Sequence, residues 1–129
     1  MKIRWTNESV RLRITPTELL MLGGGRTVEE TLRLPGGTWH VRLVVAGDVL
    51  SIRTRDDVVV VELPPADVAL LQEPTREGVY AHTAEVRLLV EKDFPCAHPH
   101  AAEAAEPPTE RFAPTPQFLA RKAHTGGPV

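Results

Sequence analysis

The sequence predicts an α+β domain that is mainly antiparallel β, with about six or seven strands in an open sheet or small barrel and two short helices. Three observations support this fold class. Apolar and polar side chains alternate with a period of two in most segments, Gly and Pro clusters separate those segments, and two Pro-led segments begin like helices. With 129 residues, 42% apolar and 25% charged, the chain suits one domain with one core.

The amino-terminal part of the chain predicts a hairpin followed by a helix. Residues 2–5 and 9–14 each alternate apolar and polar side chains, and the polar break between them predicts an antiparallel turn. Thr15 then suits a helix cap, Pro16 suits the first helical position, and Glu18 stands where a capping box places its carboxylate. We expect a short helix that ends at the glycines further on.

Two more hairpins are predicted downstream. Residues 28–34 and 39–45 alternate around a Pro-Gly-Gly turn. Residues 50–52 and 58–63 flank a charged tip that contains two aspartates. Both pairs of segments are therefore expected to be antiparallel neighbours.

The remaining regular elements are a second helix and a last strand. Residues 64–73 repeat the Pro-led helix start, with an acidic residue near the positive end of the helix dipole. Residues 84–91 alternate again and predict the last clear strand of the domain.

A weak internal repeat links the two helical segments at an offset of 49. It reflects either a duplicated strand-then-helix unit or independent use of the same helix-start chemistry, and the sequence leaves both open. The matched pairs are Ile14 and Leu63, Pro16 and Pro65, Glu18 and Asp67, and Leu22 and Leu71.

The alternating pattern ends after Cys96. We therefore predict a domain over residues 1–96 and a Pro- and Ala-rich tail over residues 97–129 that folding does not require. A Thr-Pro pair within the tail predicts one short helix near 116–122, in which two apolar side chains dock onto the domain: Phe118 and Leu119.

Composition limits the compartment and the partners. A single cysteine excludes an internal disulfide framework and suits a reducing compartment, so we expect a cytoplasmic protein. No apolar run reaches the roughly 20 residues of a membrane span, and the amino terminus lacks the apolar run of a secretion signal. The formal net charge of −2 predicts neither nucleic acid nor membrane as a partner.

No motif supports an enzyme. The chain lacks the Gly-x-Ser-x-Gly and His-Glu-x-x-His patterns, and its cysteine has no evident His and Asn set. The leading hypothesis is a non-catalytic binding or interaction module of unknown partner, with a sheet edge open to another protein or to a second copy. Trp5, Trp39 and Tyr80 are expected at the core or its edge.

A Cys-x-His-x-His segment suggests an alternative function, a small metal-binding protein. If the segment is extended, Cys96, His98 and His100 point to one side, and sulfur with imidazole suits zinc or copper. Glu91 and Asp93 are additional candidate ligands. The competing interpretation is a buried cysteine followed by a solvated tail with no bound cofactor.

Arginines at alternating positions suggest a second alternative, a basic sheet face that binds phosphate or a nucleotide. Interleaved glutamates favour the opposite interpretation, a solvated face neutralised by cross-strand pairs. The arginines are Arg4, Arg11, Arg13, Arg33, Arg42, Arg53 and Arg87, and the glutamates are Glu29, Glu62, Glu85 and Glu91.

Two segments carry a resemblance to a known family. Residues 1–4 with SVRLRI at 9–14 and the helix start at 15–20, together with LLVEKDFPC at 88–96, resemble an uncharacterised family of small bacterial proteins. The resemblance covers roughly residues 1–96. It implies a stand-alone bacterial protein of unknown function, and it supplies no catalytic residue.

Overall fold

The computed structural model describes residues 1–94 and 112–125, with side chains as far as Arg121. Eight strands and three helices lie in these residues. The strands are β1 (Lys2–Trp5), β2 (Ser9–Ile14), β3 (Val28–Leu34), β4 (Gly37–Val45), β5 (Ser51–Arg55), β6 (Val58–Leu63), β7 (Gly78–His82) and β8 (Arg87–Lys92). The helices are α1 (Pro16–Gly23), α2 (Pro65–Leu71) and α3 (Pro116–Thr125).

The strands form two separate four-stranded sheets, so the fold is α+β without a closed barrel. Sheet A has the order β1-β2-β8-β7 and sheet B the order β3-β4-β6-β5. The two outer pairs of each sheet are antiparallel, and the hairpin signatures predicted three of these four pairs, β1–β2, β3–β4 and β5–β6. The central pairs β2–β8 and β4–β6 are parallel, which corrects the expectation of an antiparallel sheet of six or seven strands. Alternation predicts which side of a strand is buried, but neither its neighbour nor its direction.

The prediction missed β7 and began β8 too early. Strand β7 has five residues and follows a loop, so its alternation is short. Thr83 forms a tight turn after it: the Thr83 hydroxyl accepts from the Val86 amide at 2.9 Å and donates to the Val86 carbonyl at 2.8 Å. This side-chain turn removes residues 84–86 from the strand that their alternation predicts.

The chain is a structural repeat of two ββαββ halves. In the hairpin β1–β2, Lys2 pairs with Arg13, and in the hairpin β5–β6, Ser51 pairs with Glu62. Both residues of the second pair lie 49 positions after their equivalents in the first pair. The halves interleave, because β2 pairs with β8 of the second half and β4 of the first half pairs with β6. Each sheet therefore contains one hairpin from each half.

One hydrophobic core lies between the two sheets and under the helices. Leu12 pairs in register with Val90, and at the equivalent place in the other sheet Val61 pairs with Leu43; all four are fully buried. Helices α1 and α2 are in contact with each other. The other fully buried side chains are Ile14, Leu22, Leu63, Leu71 and Leu88.

The start of α1 confirms the predicted capping box. The Glu18 amide donates to the Thr15 hydroxyl at 3.2 Å, and the Thr15 amide donates to the Glu18 carboxylate at 2.9 Å. Helix α2 begins after Pro64 without a side-chain cap. No helix among the described residues combines the length and the apolar character of a membrane span.

Part of the predicted tail packs onto the domain. Phe118 is buried, and its ring centroid lies 4.7 Å from that of Phe94. The Thr115 hydroxyl accepts from the Phe118 amide at 3.1 Å and donates to Glu77 at 3.0 Å. The predicted short helix is therefore present, with Phe118 docked, but Leu119 is 44% exposed and does not dock as expected.

Candidate ligand-binding site

Four cations stand together on the outer face of sheet A. Alternate side chains of a strand lie on the same face of the sheet, so Lys2 and Arg4 share a face on β1, as Arg11 and Arg13 do on β2. The register places Lys2 opposite Arg13 and Arg4 opposite Arg11. We call these four residues the basic square. Directly opposed side chains on neighbouring strands have Cβ atoms about 4.5–5.5 Å apart, so like charges repel in both pairs.

Two carboxylates neutralise half of the basic square. Arg11 Nε lies 2.8 Å from Glu91 Oε1, and Lys2 Nζ lies 3.0 Å from Oδ2 of the buried Asp93. Among the described residues, Arg4 and Arg13 make no ion pair. Four cations therefore face two carboxylates, and the square keeps a net charge of about +2. A shallow depression of about 100 Å³ lies at this place, lined by Lys2, Ile3, Arg4, Arg11 and Arg13.

The second half of the chain is an internal comparison for the basic square. Addition of 49 to the four positions leads to Ser51, Arg53, Val60 and Glu62 on the outer face of sheet B. There the single arginine, Arg53, is ion-paired with Glu62. The same hairpin thus folds with one neutralised cation, so the fold itself does not require the four cations of sheet A.

The remaining arginines are not part of one continuous face. Arg42 and Arg53 lie on sheet B, where Arg42 Nε is 2.6 Å from Glu29. The hydrogen bond from Arg42 outweighs desolvation and, with the charges of Arg42 and His40, lowers the pKa of Glu29. The predicted cross-strand neutralisation is therefore confirmed for Arg42 and Arg53 of sheet B, whereas Arg33 of β3 makes no ion pair among the described residues and sheet A also keeps unpaired cations.

An apolar cleft opens between the edge strands β1 and β3. Its volume is about 530 Å³, which falls in the range of small-molecule sites. Trp5 and Trp39 lie at its mouth and are 59% and 47% exposed. They keep the phase of the buried faces of their strands, as expected, but they do not belong to the core. The other lining residues are Met1, Ile3, Arg4, Glu30, Thr31, Leu32, Val41 and Val59.

The cleft exists because the hairpin β3–β4 is longer than its counterpart. The pair Val28–Leu43 is equivalent to Val79–Val90, because Leu43 and Val90 take the same place beside the central strand of the other half. From this pair toward the turn, β3–β4 has three more residue pairs than β7–β8. These extra pairs carry Leu32 and Trp39 past the core, where none of the eight described strands covers them. Tyr80, also predicted near the core, is on the outer face of sheet A and is 56% exposed.

The amino-terminal ammonium group of Met1 closes one end of the cleft. Its nitrogen donates to Glu18 at 2.6 Å and to Glu30 at 2.7 Å. Burial alone lowers the pKa of this ammonium, but the hydrogen bonds and charges of Glu18 and Glu30 together outweigh burial and raise the pKa above its ordinary value of 8.0. The carboxylate of Glu30 is thus engaged by a cation within the cleft.

This ion pair predicts a loss of stability at alkaline pH. A raised pKa in the folded state contributes stability below about pH 8, which is lost as the pH rises through the folded-state value. We expect the free energy of unfolding to fall between pH 8 and 10 by on the order of 1 kcal/mol more in the wild type than in Glu30→Gln. Urea unfolding of protein whose amino terminus is verified by intact mass measures this difference.

The comparison with Glu30→Gln removes the effect of other groups. Burial lowers the pKa of Lys92, so this side chain contributes with the opposite sign as the pH rises, but it does so equally in both proteins. Parallel pH profiles of the two proteins would show that the ion pair between the ammonium group and Glu30 contributes nothing to stability.

The family comparison agrees with the sequence resemblance. A family of unknown function (DUF7009) matches residues 1–110. The chain belongs to this family. No curated protein and no solved structure matches it. The two segments of the family resemblance lie side by side in the structure, since β1 and β2 pair with each other and β2 pairs with β8. The basic square of this DUF7009 member is built on the first of these segments, and its two carboxylates come from the second.

The predicted metal site lies mostly outside the described residues. This applies to Cys96, His98 and His100, so zinc or copper binding there stays a prediction. The two additional candidates, Glu91 and Asp93, make ion pairs with cations of the basic square. Within residues 1–94 and 112–125, no group of three His, Cys, Asp or Glu side chains is placed to hold a metal ion.

Proposed function

We propose that the protein is a non-catalytic binding module that binds a phosphate group on the basic square of sheet A. The observation that carries this proposal is the difference between the two halves of the chain. At equivalent positions the first half has four cations and the second half has one, which is ion-paired. Like charges in direct cross-strand pairs destabilise a sheet, so their presence in one half favours a role in binding.

The charge of the site suits a phosphate. Glu91 and Asp93 neutralise two of the cations, which leaves a charge of about +2 on Arg4 and Arg13. A phosphate monoester carries a charge of about −1.5 to −2 at neutral pH. Guanidinium groups donate paired hydrogen bonds to phosphate oxygens, and this geometry favours phosphate over a spherical anion such as chloride.

A pair of matched arginine variants tests the proposal. Titration calorimetry at low ionic strength measures the affinity for inorganic phosphate and for pyrophosphate. We expect Arg13→Gln to weaken both by about tenfold or more, which corresponds to 1.4 kcal/mol. Arg53→Gln is the control, because Arg53 has the outer-face position in the second half and is paired with Glu62. Its phosphate affinity should equal that of the wild type.

The proposal also predicts how stability responds. Arg4 is opposite Arg11 and has no ion pair among the described residues, so Arg4→Gln removes mainly repulsion. The free energy of unfolding should therefore stay the same or rise by about 0.2–1 kcal/mol while phosphate affinity falls. If the wild type binds neither anion, or if Arg53→Gln weakens binding as much as Arg13→Gln, the basic square is not a phosphate site.

A further inference from the structure

The basic square and the apolar cleft share one strand. On β1, Ile3 and Trp5 line the cleft, while Lys2 and Arg4 belong to the basic square. Because β1 is an edge strand of sheet A, the basic square and the cleft lie on the two faces of this single strand. Arg4 lines both of them. A ligand bound at the guanidinium of Arg4 therefore has an apolar cleft within reach.

The cleft has the chemistry of a site for an apolar group. Leu32, Val41 and Val59 line it, and the indoles of Trp5 and Trp39 flank its mouth. Half-exposed apolar side chains gathered in one place mark a binding surface more often than scattered single ones.

The second half of the chain lacks the equivalents of three apolar residues at the cleft. The position of Trp5 is taken by Thr54, and the extra pairs that carry Leu32 and Trp39 are missing from β7–β8. Trp5, Leu32 and Trp39 thus occur in the same half as the basic square, and the other half lacks their equivalents.

The charges around the cleft orient its occupant. Glu30 is the carboxylate among the lining residues, and its Oε1 is held by the Met1 ammonium group at 2.7 Å. The same ammonium group also holds Glu18 at 2.6 Å, so Met1, Glu18 and Glu30 together keep a charge of about −1. Arg4 remains as the cation at the rim without an ion pair among the described residues, so the anionic end of a ligand fits toward β1 and its apolar end fits toward Trp39.

We infer that the ligand is an organic phosphate whose phosphate group binds the basic square beside Arg4 and whose apolar body occupies the cleft between β1 and β3. This inference rests on the proposed phosphate site and adds the class of ligand. A body that fills a cleft of about 530 Å³ has the size of a small molecule, and its burial adds free energy of binding that inorganic phosphate lacks.

Tryptophan fluorescence provides a direct test, because the only two tryptophans of the chain both lie at the mouth of the cleft. The probes are octyl phosphate below its aggregation concentration, inorganic phosphate and octanol. We expect octyl phosphate to shift the emission to shorter wavelength and to bind about tenfold or more tightly than inorganic phosphate. Octanol should bind more weakly than octyl phosphate, because it lacks the anionic group.

Two variants separate the cleft from the basic square. Leu32 is half exposed, so Leu32→Ser should leave folding intact, weaken octyl phosphate by about tenfold and leave the affinity for inorganic phosphate unchanged. Arg13→Gln should weaken both phosphates. This pattern ties the apolar body to the cleft and the phosphate group to the square.

Each contrary result has its own meaning. If octyl phosphate binds no more tightly than inorganic phosphate and leaves the emission unchanged, the inference about the cleft is wrong while the phosphate site stands. If neither phosphate binds, the proposed function itself is wrong. Equal affinity for octanol and octyl phosphate would overturn the inference, and so would a dimer, seen by light scattering, that Leu32→Ser dissociates, because a second copy would then cover the cleft.

Discussion

Gly78→Ala is expected to lower the free energy of unfolding by about 2 kcal/mol, although it adds a single methyl group. Gly78 is buried in β7 and pairs with Glu91 of β8. A Cβ atom at this position would lie 2.9 Å from the carbonyl oxygen of Val90 and 2.9 Å from Cγ of Glu91. The carbonyl oxygen belongs to the backbone of a central strand, so the relief of this contact requires one of the two strands to move.

A second glycine is the control for this substitution. Gly37 is also the first residue of a strand, and a Cβ atom there would meet nothing within 4 Å. Gly37→Ala should change the free energy of unfolding by less than about 0.5 kcal/mol. Urea unfolding followed by circular dichroism measures both variants. Equal stability of Gly78→Ala and Gly37→Ala would mean that β7 and β8 do not approach each other as closely as the structure shows.

Local chemistry was sufficient to predict the elements that depend on neighbouring residues. Thr15, Pro16 and Glu18 predict the start of α1, because a capping box is complete within four residues. The Pro-Gly-Gly segment predicts the turn between β3 and β4, where Gly36 has a positive φ of 90° that glycine adopts without strain. These features need no information about distant parts of the chain.

Features that depend on distant pairing could not be predicted in this way. Ser9–Ile14 alternates identically whether its second neighbour is antiparallel or parallel, and the neighbour, β8, lies at the far end of the domain. The alternating arginines therefore seemed to share one face, whereas the structure divides them between two sheets. The exposure of Trp39 depends on the length of β3–β4 relative to a hairpin of the other half.

The internal repeat is the feature of the sequence that predicts structure beyond neighbouring residues. The register of β5–β6 equals that of β1–β2 after addition of 49, and a repeat extended past the helices requires a hairpin that corresponds to β3–β4. That hairpin is β7–β8, so the repeat predicts the strand that alternation alone missed. The basic square becomes visible from sequence only after the repeat shows which positions of the second half to compare.

Glu18→Ala is the substitution expected to destabilise the fold most, because this carboxylate has two tasks. One oxygen accepts from the Thr15 amide at 2.9 Å and caps α1, and the other accepts from the Met1 ammonium at 2.6 Å. Loss of a cap costs about 0.5–2 kcal/mol. Loss of one partner of this partly buried ion pair adds to that cost, although Glu30 still faces the ammonium. We therefore expect a total of about 3 kcal/mol by urea unfolding.

The repeat again supplies a control, since Asp67 has the position of Glu18 in the second half. Helix α2 has no side-chain cap, so Asp67 interacts with the helix mainly through the dipole, and Asp67→Ala should cost only about 0.3–1 kcal/mol. Glu18→Gln keeps an oxygen for the Thr15 amide but loses the charge, so its cost should fall between these values. If Glu18→Ala and Asp67→Ala are equally stable, Glu18 neither caps α1 nor holds the ammonium group to any measurable extent, and Glu30 is left as the carboxylate that holds the amino terminus in the cleft between β1 and β3.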